Sequence, residues 1–344
     1  MNRQHLRSCF APLRLCERCR WALLLIGGVL ILLGHRSLSG QPPKKRDPAA
    51  WGGDHVGQPV PEYVTGDECL FCHRKDVGPT WGKNRHQLTL RAIEADDPAL
   101  RALQQSPAKE QAAEVKMALG GRNRLRFLKP SEAYGKLELL SVAWQPPHAG
   151  KEGKLLDTDR PHWDAKRFGD GCAGCHATGV DSAKRTFSSP SLDCYTCHGI
   201  VDLKHSKDTS LVLLAKKRKD PARVVISLCA QCHVRTGQSR STGLPYPNNF
   251  VAGDNLFRDF RVDFSEAVLQ ALNPGDRHVL ENVRDVVLLG KEEVTCLSCH
   301  EVHSQATKKH HTLAKTDLCL NCHQATGSMK IRKPYEVHSK TCGY

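Results

Sequence analysis

The sequence has little of what usually fills a protein core. Aromatic residues make up 6% of its 344 positions, methionine occurs three times, and apolar residues amount to only 40%. The mean hydropathy of −0.45 excludes a protein with several membrane spans. A charged fraction of 25% is ordinary and argues against a wholly disordered chain. Two explanations remain for the shortage of apolar residues: the core is small, or a prosthetic group fills part of it.

Cysteine is abundant instead, and its spacing indicates its chemistry. Twelve of the sixteen cysteines form six CxxC pairs, and a histidine follows each pair directly. In such a CxxCH motif the two thiols bond covalently to the haem vinyl groups, and the histidine becomes the proximal ligand of the iron. The predicted haem-binding cysteines are Cys69, Cys72, Cys172, Cys175, Cys194, Cys197, Cys229, Cys232, Cys296, Cys299, Cys319 and Cys322. The predicted proximal ligands are His73, His176, His198, His233, His300 and His323.

Zinc ribbons and thioredoxin-like redox sites also use CxxC pairs. Neither needs a histidine beside the second cysteine, whereas every one of these pairs has one. The pattern therefore predicts six haem c groups, each with one iron. The cysteines outside the motifs are Cys9, Cys16, Cys19 and Cys342. For Cys342 the alternatives are a free thiol and a truncated seventh motif.

The N-terminal region has the pattern of an export segment. Residues 21–34 form an uncharged apolar run behind a basic flank, and the run is shorter than the ~20 residues of a membrane-spanning helix. We interpret residues 1–40 as an export signal or an N-terminal membrane anchor, 41–62 as a proline-rich linker and 63–344 as a hexahaem cytochrome domain. Haem attachment belongs to the oxidising side of the membrane. The predicted location is the periplasm or the outer face of the cytoplasmic membrane.

The formal charge of +14 would ordinarily suggest a nucleic-acid partner. Six haems would bring about twelve propionate groups, so much of the basic excess serves as counter-charge to the cofactor. We therefore expect no nucleic-acid partner.

Secondary structure is expected to be sparse between the motifs. Helical patterns occur over 96–119, in two pieces divided at Pro107, and over 209–219 and 276–289. Alternating apolar residues predict a β-hairpin over 124–144, and residues 236–262 are expected to form a long loop. The predicted fold class is mainly α, a multihaem cytochrome c fold packed around its haems with one small β-hairpin.

The number of histidines outside the motifs bears on the second axial position of each iron. A haem with two histidines is closed to substrate, whereas a haem with one open face can bind and convert a small molecule. Ten histidines lie outside the motifs and the export region, enough to close six irons without proving that they do. His55, His148 and His162 are the less favoured among them. The preferred distal candidates are His86, His205, His278, His303, His311 (or its neighbour His310) and His338.

Several stretches around the motifs occur in a recognisable order. They are Tyr63-Val-Thr-Gly-Asp-Glu-Cys69 with Trp81 and His86, Cys172-Ala-Gly-Cys175-His-Ala-Thr-Gly179, Cys194-Tyr-Thr-Cys197-His-Gly199 with His205, the hairpin from Gly121 to Trp144, and Cys296-Leu-Ser-Cys299-His-Glu-Val-His303. Over roughly residues 60–325 this order resembles the cytochrome c-554 family of multihaem cytochromes. Its six motifs exceed the four of the family's name-giving type, and the stretch from Leu288 to Val294 lacks the histidine that family members often carry shortly before a late CxxCH.

The resemblance implies a mostly helical fold with closely packed haem pairs and mostly bis-histidine iron. It also implies that His86, His205 and His303 are distal ligands, and that the protein transfers electrons in nitrogen or related respiratory chemistry. The expected partners are redox proteins or a membrane quinol-oxidising complex.

Electron transfer through six covalently bound haems in a respiratory chain is thus the predicted function. The alternative is a multihaem oxidoreductase that acts on a small nitrogen or sulfur compound at one open-faced haem. All six motifs end in histidine, so the lysine-ligated CxxCK variant of pentahaem nitrite reductases is absent from the sequence. A haem subunit docked in a larger complex is the third interpretation.

Overall fold

A computed structural model describes residues 51, 53–62, 65–121, 123–215, 218–290, 295–298 and 300–303. All of them belong to one compact unit, Arg46–Tyr344. In this described part, no helix has both the length and the apolar character needed to cross a membrane. The apolar run 21–34, Cys299, the sixth motif and the distal candidates His311 and His338 lie outside the described residues.

A six-stranded antiparallel sheet lies in the chain between the first and second CxxCH motifs. The strands are β1 (Leu90–Ala92), β2 (Met117–Gly120), β3 (Leu125–Pro130), β4 (Leu137–Gln145), β5 (Lys154–Leu156) and β6 (Trp163–Asp164). Their order is β1-β2-β3-β4-β5, and β6 pairs with β4. The predicted hairpin is confirmed as β3 and β4, with Leu128 opposite Leu139 and a bulge between Arg126 and Leu128.

The sheet is packed on both faces, as consecutive residues of β3 demonstrate. Phe127 is fully buried on one face with Leu103, Leu140 and Val142. Leu128 is fully buried on the other face, where it joins Phe168 of the segment that leads into the second motif. Side chains alternate between faces along a strand, so one hairpin contributes to two cores. The sheet is therefore a conventionally packed scaffold beside the second motif.

The helices are short apart from two. They are α1 (Gly66–His73), α2 (Gly78–Trp81), α3 (Pro98–Gln104), α4 (Lys109–Ala112), α5 (Arg167–Gly171), α6 (Ala173–His176), α7 (Cys194–His198), α8 (Ala222–His233), α9 (Glu266–Ala271) and α10 (Pro274–Leu289). Turns of 3-10 helix cover Leu203–Ser206, Thr209–Leu211, Leu256–Arg258 and Cys296–Ser298. Two small antiparallel pairs complete the fold: β7 (Ala177–Thr178) with β8 (Ser189–Pro190), and β9 (Gly237–Ser239) with β10 (Phe260–Val262).

The two long helices build the third core. Ile226 and Ala230 of α8 pack with Leu280 and Val283 of α10. The start of α10 is fixed by the Asn273 side chain, which accepts a hydrogen bond from a backbone N–H of the first turn, and the helix stops at a glycine in the left-handed region. This confirms the helix predicted over 276–289, which begins two residues earlier than expected.

The mainly α class is wrong. Among the described residues 35% are helical and 17% lie in strands, which form several antiparallel sheets. The helical piece predicted to run to residue 119 ends at Ala112, and Met117–Gly120 is strand β2 between β1 and β3. Methionine, alanine and leucine favour helices intrinsically, but pairing on both sides and burial of alternate faces outweigh that preference.

Two further secondary-structure predictions need correction. Of the helix expected over 209–219, only the 3-10 turn Thr209–Leu211 is present among the described residues. The expected loop 236–262 contains the β9–β10 pair and another 3-10 turn. Three-residue strands give too short an alternation to be recognised, which is why that stretch carries no visible period.

Candidate haem-binding site

The first four CxxCH motifs each end a helix; both cysteines lie within it in the first, third and fourth motifs, and Cys172 of the second directly precedes α6. The motif histidine is the last residue of α1, α6, α7 and α8. Residues three apart lie on the same helix face, as two thiols that bond to one porphyrin must. In the fifth motif Cys296 begins a 3-10 turn and His300 follows it. Cys299 and the sixth motif, Cys319, Cys322 and His323, lie outside the described residues.

Three histidines outside the motifs face motif histidines ring to ring. The pairs are His205 with His73 at 6.1 Å between ring centroids, His86 with His233 at 6.1 Å, and His303 with His198 at 5.8 Å. Each pair joins residues more than a hundred positions apart in the chain. These are the three histidines that the family resemblance placed at distal positions.

The ring spacing fits one iron between each pair. A metal–imidazole nitrogen bond is about 2 Å long, and each ring centre lies about 1 Å behind its nitrogen, so two coordinating rings stand roughly 6 Å apart. Within the described part of the chain, no three His, Cys, Asp or Glu side chains are arranged to hold a metal ion. Each site offers a pair of facing imidazoles and the two cysteines of its motif, which are the groups that hold a haem c.

Hydrogen bonds at Nδ1 leave the other ring nitrogen of these histidines for a metal. His198 Nδ1 lies 2.6 Å from the Leu213 carbonyl oxygen, and His205 Nδ1 lies 2.8 Å from the Asp202 carbonyl oxygen. A carbonyl can only accept, so Nδ1 carries the proton and Nε2 carries the lone pair. Such partners fix the orientation of a metal-binding imidazole.

At two other motif histidines, the partner of Nδ1 is a side chain instead of a carbonyl. His73 Nδ1 lies 3.0 Å from a carboxylate oxygen of Asp76, and the Nδ1 of His176 contacts the Thr89 hydroxyl. The carboxylate differs from a carbonyl because it increases the electron density on the ring. The first site thus has a charged outer partner.

Asn84 connects two of the distal candidates. Its side-chain oxygen lies 2.9 Å from the backbone nitrogen of His86 and 3.2 Å from Nδ1 of the same residue. Its amide nitrogen donates to the Val302 carbonyl at 2.6 Å, one residue before His303. Asn84 is almost fully buried. It therefore fixes the backbone at both histidines from a single position.

Burial keeps three of the candidate ligand rings neutral. Desolvation, aided by the positive charge of Arg235, lowers the pKa of His176 to about 4. Desolvation also lowers the pKa of His198 and of His303. A protonated imidazole has no lone pair for iron, so the lowered pKa values favour the ligating form at neutral pH.

The motif cysteines bring different motifs into contact. The thiols of Cys69 and Cys194 hydrogen-bond to each other, and so do those of Cys229 and Cys296. Cys175 and Cys232 form a third such pair. The thiol of Cys197 is also desolvated, which raises its pKa to about 11.

The remaining histidines have other surroundings. His278 lies on α10, where the Asn282 amide donates to its carbonyl at 2.7 Å and lies 3.3 Å from its Nδ1; iron ligation by His278 stays a prediction. His55 Nδ1 lies 2.9 Å from both carboxylate oxygens of Asp254. His148 pairs with Lys151 in an isolated β-bridge, and His162 Nδ1 lies 2.9 Å from the Arg160 carbonyl oxygen.

The outer partners of the histidines were missed by the sequence analysis. Asp76, Asn84 and Asp202 lie within three residues of a candidate ligand, and that local spacing is a signal that could have found them. Thr89 and Leu213 come from distant segments, so only the fold identifies them. Trp81 is a further neighbour, with its ring edge-on to His303 at 6.2 Å between centroids.

One match among known protein families concerns the motifs themselves. The family model "Doubled CXXCH motif" matches residues 290–328, which contain the fifth and sixth motifs. Among solved structures, the chain is similar to an undecaheme cytochrome from the S-layer of Carboxydothermus ferrireducens, with 18% identity and a TM-score of 0.43. The alignment covers 83% of this chain and 44% of that one, so the chain spans less than half of that protein's length. No curated protein matches the chain.

The CxxCH motifs and the doubled-motif match support a multihaem c-type cytochrome. Haem c is the cofactor that the CxxCH motifs and the doubled-motif match support. The narrower resemblance to the cytochrome c-554 family is not confirmed by the comparisons and stays a prediction.

Proposed function

We propose that this chain is an exported cytochrome that carries electrons through six covalently bound haem c groups in a respiratory chain. The observation that carries the proposal is the set of three facing imidazole pairs, His73 with His205, His233 with His86 and His198 with His303. A haem ligated by two histidines is closed to substrate and suits electron transfer.

The bound haem supplies an iron that changes between ferrous and ferric without exchanging ligands. The residues of the chain do the rest. The motif cysteines fix the porphyrin in place, and the Nδ1 partners orient the ligand rings. The charge and burial around each site then set how readily its iron accepts an electron. The sites therefore need no separate catalytic acid or base.

The partners we propose are redox proteins or a membrane quinol-oxidising complex, met outside the cytoplasm. The surroundings of the first motif suit such a meeting. Phe71, inside this motif, is 88% exposed, and Leu203, two residues before His205, is 86% exposed. An electron can enter or leave a buried chain of haems only where one of them lies near the surface.

Haem content tests the first part of the proposal. The full-length protein, expressed with a haem-attachment system, should contain six haems by pyridine haemochrome assay and by intact mass. Electron paramagnetic resonance of the oxidised protein should then show low-spin iron at every site, unchanged by added nitrite. A high-spin signal that shifts with nitrite would instead support the alternative oxidoreductase with one open-faced haem.

A positive control is needed to show that the assay detects an open face. His205→Gly removes the ring opposite His73 and should produce one high-spin, nitrite-sensitive iron. His162→Gly removes an exposed histidine of the sheet region and should leave the spectrum unchanged. If His205→Gly leaves all irons low-spin, the proposed pairing of His205 with the first motif is wrong.

A further inference from the structure

We infer that the fourth motif, Cys229 to His233, is an electron junction at which the haems of the second, third and fifth motifs meet. The inference rests on the proposed function, because it assigns the order in which the haems exchange electrons. It concerns the places where one motif touches another, which the motif sequences alone do not reveal.

Contact with the second motif is made through Cys232. The thiols of Cys232 and Cys175 hydrogen-bond to each other. Each sulfur also reaches the other motif's backbone: Cys175 Sγ lies 3.8 Å from the Gln231 carbonyl oxygen, and Cys232 Sγ lies 3.7 Å from the Gly174 carbonyl oxygen. The two motifs therefore pack directly, cysteine on cysteine.

Contact with the fifth motif is made through the other cysteine, Cys229. Its thiol hydrogen-bonds to that of Cys296. Cys296 also packs against the core that holds Ile226 and Ala230 on the same helix, α8. The fifth motif is thus seated on the helix that carries the fourth.

The third motif completes the junction. Asn84 joins the distal sides of the third and fourth sites: its side-chain oxygen accepts from the backbone N–H of His86, which faces His233, and its amide donates to the Val302 carbonyl beside His303. The chain after the fifth motif then returns to the third motif, since His303 faces His198. By contrast, the contact described for the cysteines of the first motif is the one between Cys69 and Cys194 of the third.

Each motif sulfur would bond to the edge of its own porphyrin, so motifs whose cysteines touch would hold their haems edge to edge. The fourth motif's cysteines would then place its haem where it could accept an electron from the third haem, which would become ferric. It would pass that electron to the second or the fifth haem and return to ferric itself. No proton or further reactant enters these steps.

The test removes the fifth haem and observes two others. Cys296→Ala together with Cys299→Ala abolishes attachment at the fifth motif, and intact mass and pyridine haemochrome confirm the loss of one haem. His86→Met marks the fourth haem, and the matched marker His205→Met identifies the first. The midpoint potential of the marked haem is then measured by spectroelectrochemistry in each background.

We expect the fifth haem's removal to shift the potential of the marked fourth haem, because a neighbouring redox-dependent charge disappears. The shift of the marked first haem should be at least about threefold smaller, since Coulomb interactions weaken with distance. Removing the second haem, by Cys172→Ala with Cys175→Ala, should also shift the fourth. If removing the fifth haem shifted the potentials of the marked first and fourth haems equally, or left the fourth unchanged, the proposed junction would be wrong.

The outcomes separate this inference from the proposed function. If five low-spin haems still titrate reversibly while the fourth does not respond, the junction is wrong and electron transfer stands. If the irons of the unaltered protein do not titrate reversibly, the proposed function itself fails. If the cysteine variant does not accumulate, His300→Met keeps the fifth haem and changes its potential, and the same pair of markers must respond in the same unequal way.

Discussion

The first and third motifs hold similar pairs of imidazoles in different surroundings. His73 and His205 lie at the surface, where the His73 side chain is 45% exposed and its Nδ1 partner is the carboxylate of Asp76. The rings of His198 and His303 are more strongly desolvated, which lowers the pKa of both, and the Nδ1 partner of His198 is a neutral carbonyl. The ring separations, 6.1 and 5.8 Å, are nearly the same.

The difference indicates how the same pair of histidine ligands can give two haems different reduction potentials. Ferric iron carries one more positive charge than ferrous iron, so burial disfavours it and a nearby carboxylate favours it. Both effects lower the potential of the first haem relative to the third. We therefore expect an electron on the first haem to move inward to the third.

The largest expected change in the reduction potentials of these two haems comes from exchanging an axial ligand. His303→Met should raise the potential of the third haem, and His205→Met that of the first, each on the order of 0.2 V within the ~0.8 V range that axial ligands span. Spectroelectrochemistry combined with magnetic circular dichroism, which detects methionine ligation, measures both. If the two variants raised the potential of the same haem, one of the two pairings would be wrong.

A smaller change comes from the charge beside the first site. Asp76→Asn keeps a hydrogen-bond acceptor but removes the negative charge, and should raise the first haem's potential by on the order of 60 mV, a tenfold change in a one-electron equilibrium. The third haem should not move. Asp263→Asn, an exposed aspartate that accepts a hydrogen bond from the Ser265 backbone, is the matched control and should shift neither. An equal shift from both variants would mean that net charge, rather than the contact with His73, sets the potential.

A still smaller effect on potential is expected from the loop that supports His198. Asp220 is 3% exposed and accepts hydrogen bonds from the Leu214 backbone N–H and from Arg218, both at 2.7 Å. Asp220→Ala should lower the free energy of unfolding by about 2 kcal/mol because the Leu214 N–H and the Arg218 guanidinium lose their acceptor. It should also raise the third haem's potential by roughly 30 mV, as the Leu213 carbonyl loosens its hold on His198. A shift at the first haem instead would contradict this role.

The sheet provides the change with the smallest expected effect on either potential. Leu140→Ala empties a fully buried position and should cost about 2–5 kcal/mol in the free energy of unfolding. Haem content and both potentials should stay as they are, because Leu140 packs in the sheet core away from the motif helices. Far-ultraviolet circular dichroism during denaturant unfolding measures the first effect, and potentiometry checks the second.

The sequence was sufficient for the features that depend on local spacing. The motif positions, the β3–β4 hairpin and helix α10 follow from patterns within a few residues, and the cap at Asn273 is one of them. The strand at 117–120 does not, because its residues prefer a helix and only pairing on both sides makes them a strand. The 209–219 stretch also lacks such a local signal, since the Asp208 and Asp220 side chains bind its backbone into turns.

The residues of the candidate sites also fall into those that the sequence identifies and those that only the fold identifies. The motif histidines can be read directly from the sequence, and the family resemblance selected His86, His205 and His303 from the others. Which ring faces which motif cannot be obtained from spacing, because every pair joins distant segments. His278 illustrates the limit, since its place near a helix start is a local property that does not determine what its ring contacts.

The separation of the facing rings has a consequence for the order of assembly. Proteins are synthesised from the N-terminus, and the sheet strands from Leu90 to Asp164 are contained in one continuous stretch. The first motif precedes its partner ring by more than a hundred residues, and the third does too. His73 is therefore synthesised long before His205, and His198 long before His303. The sheet can therefore fold before the residues that complete the first and third sites have been synthesised.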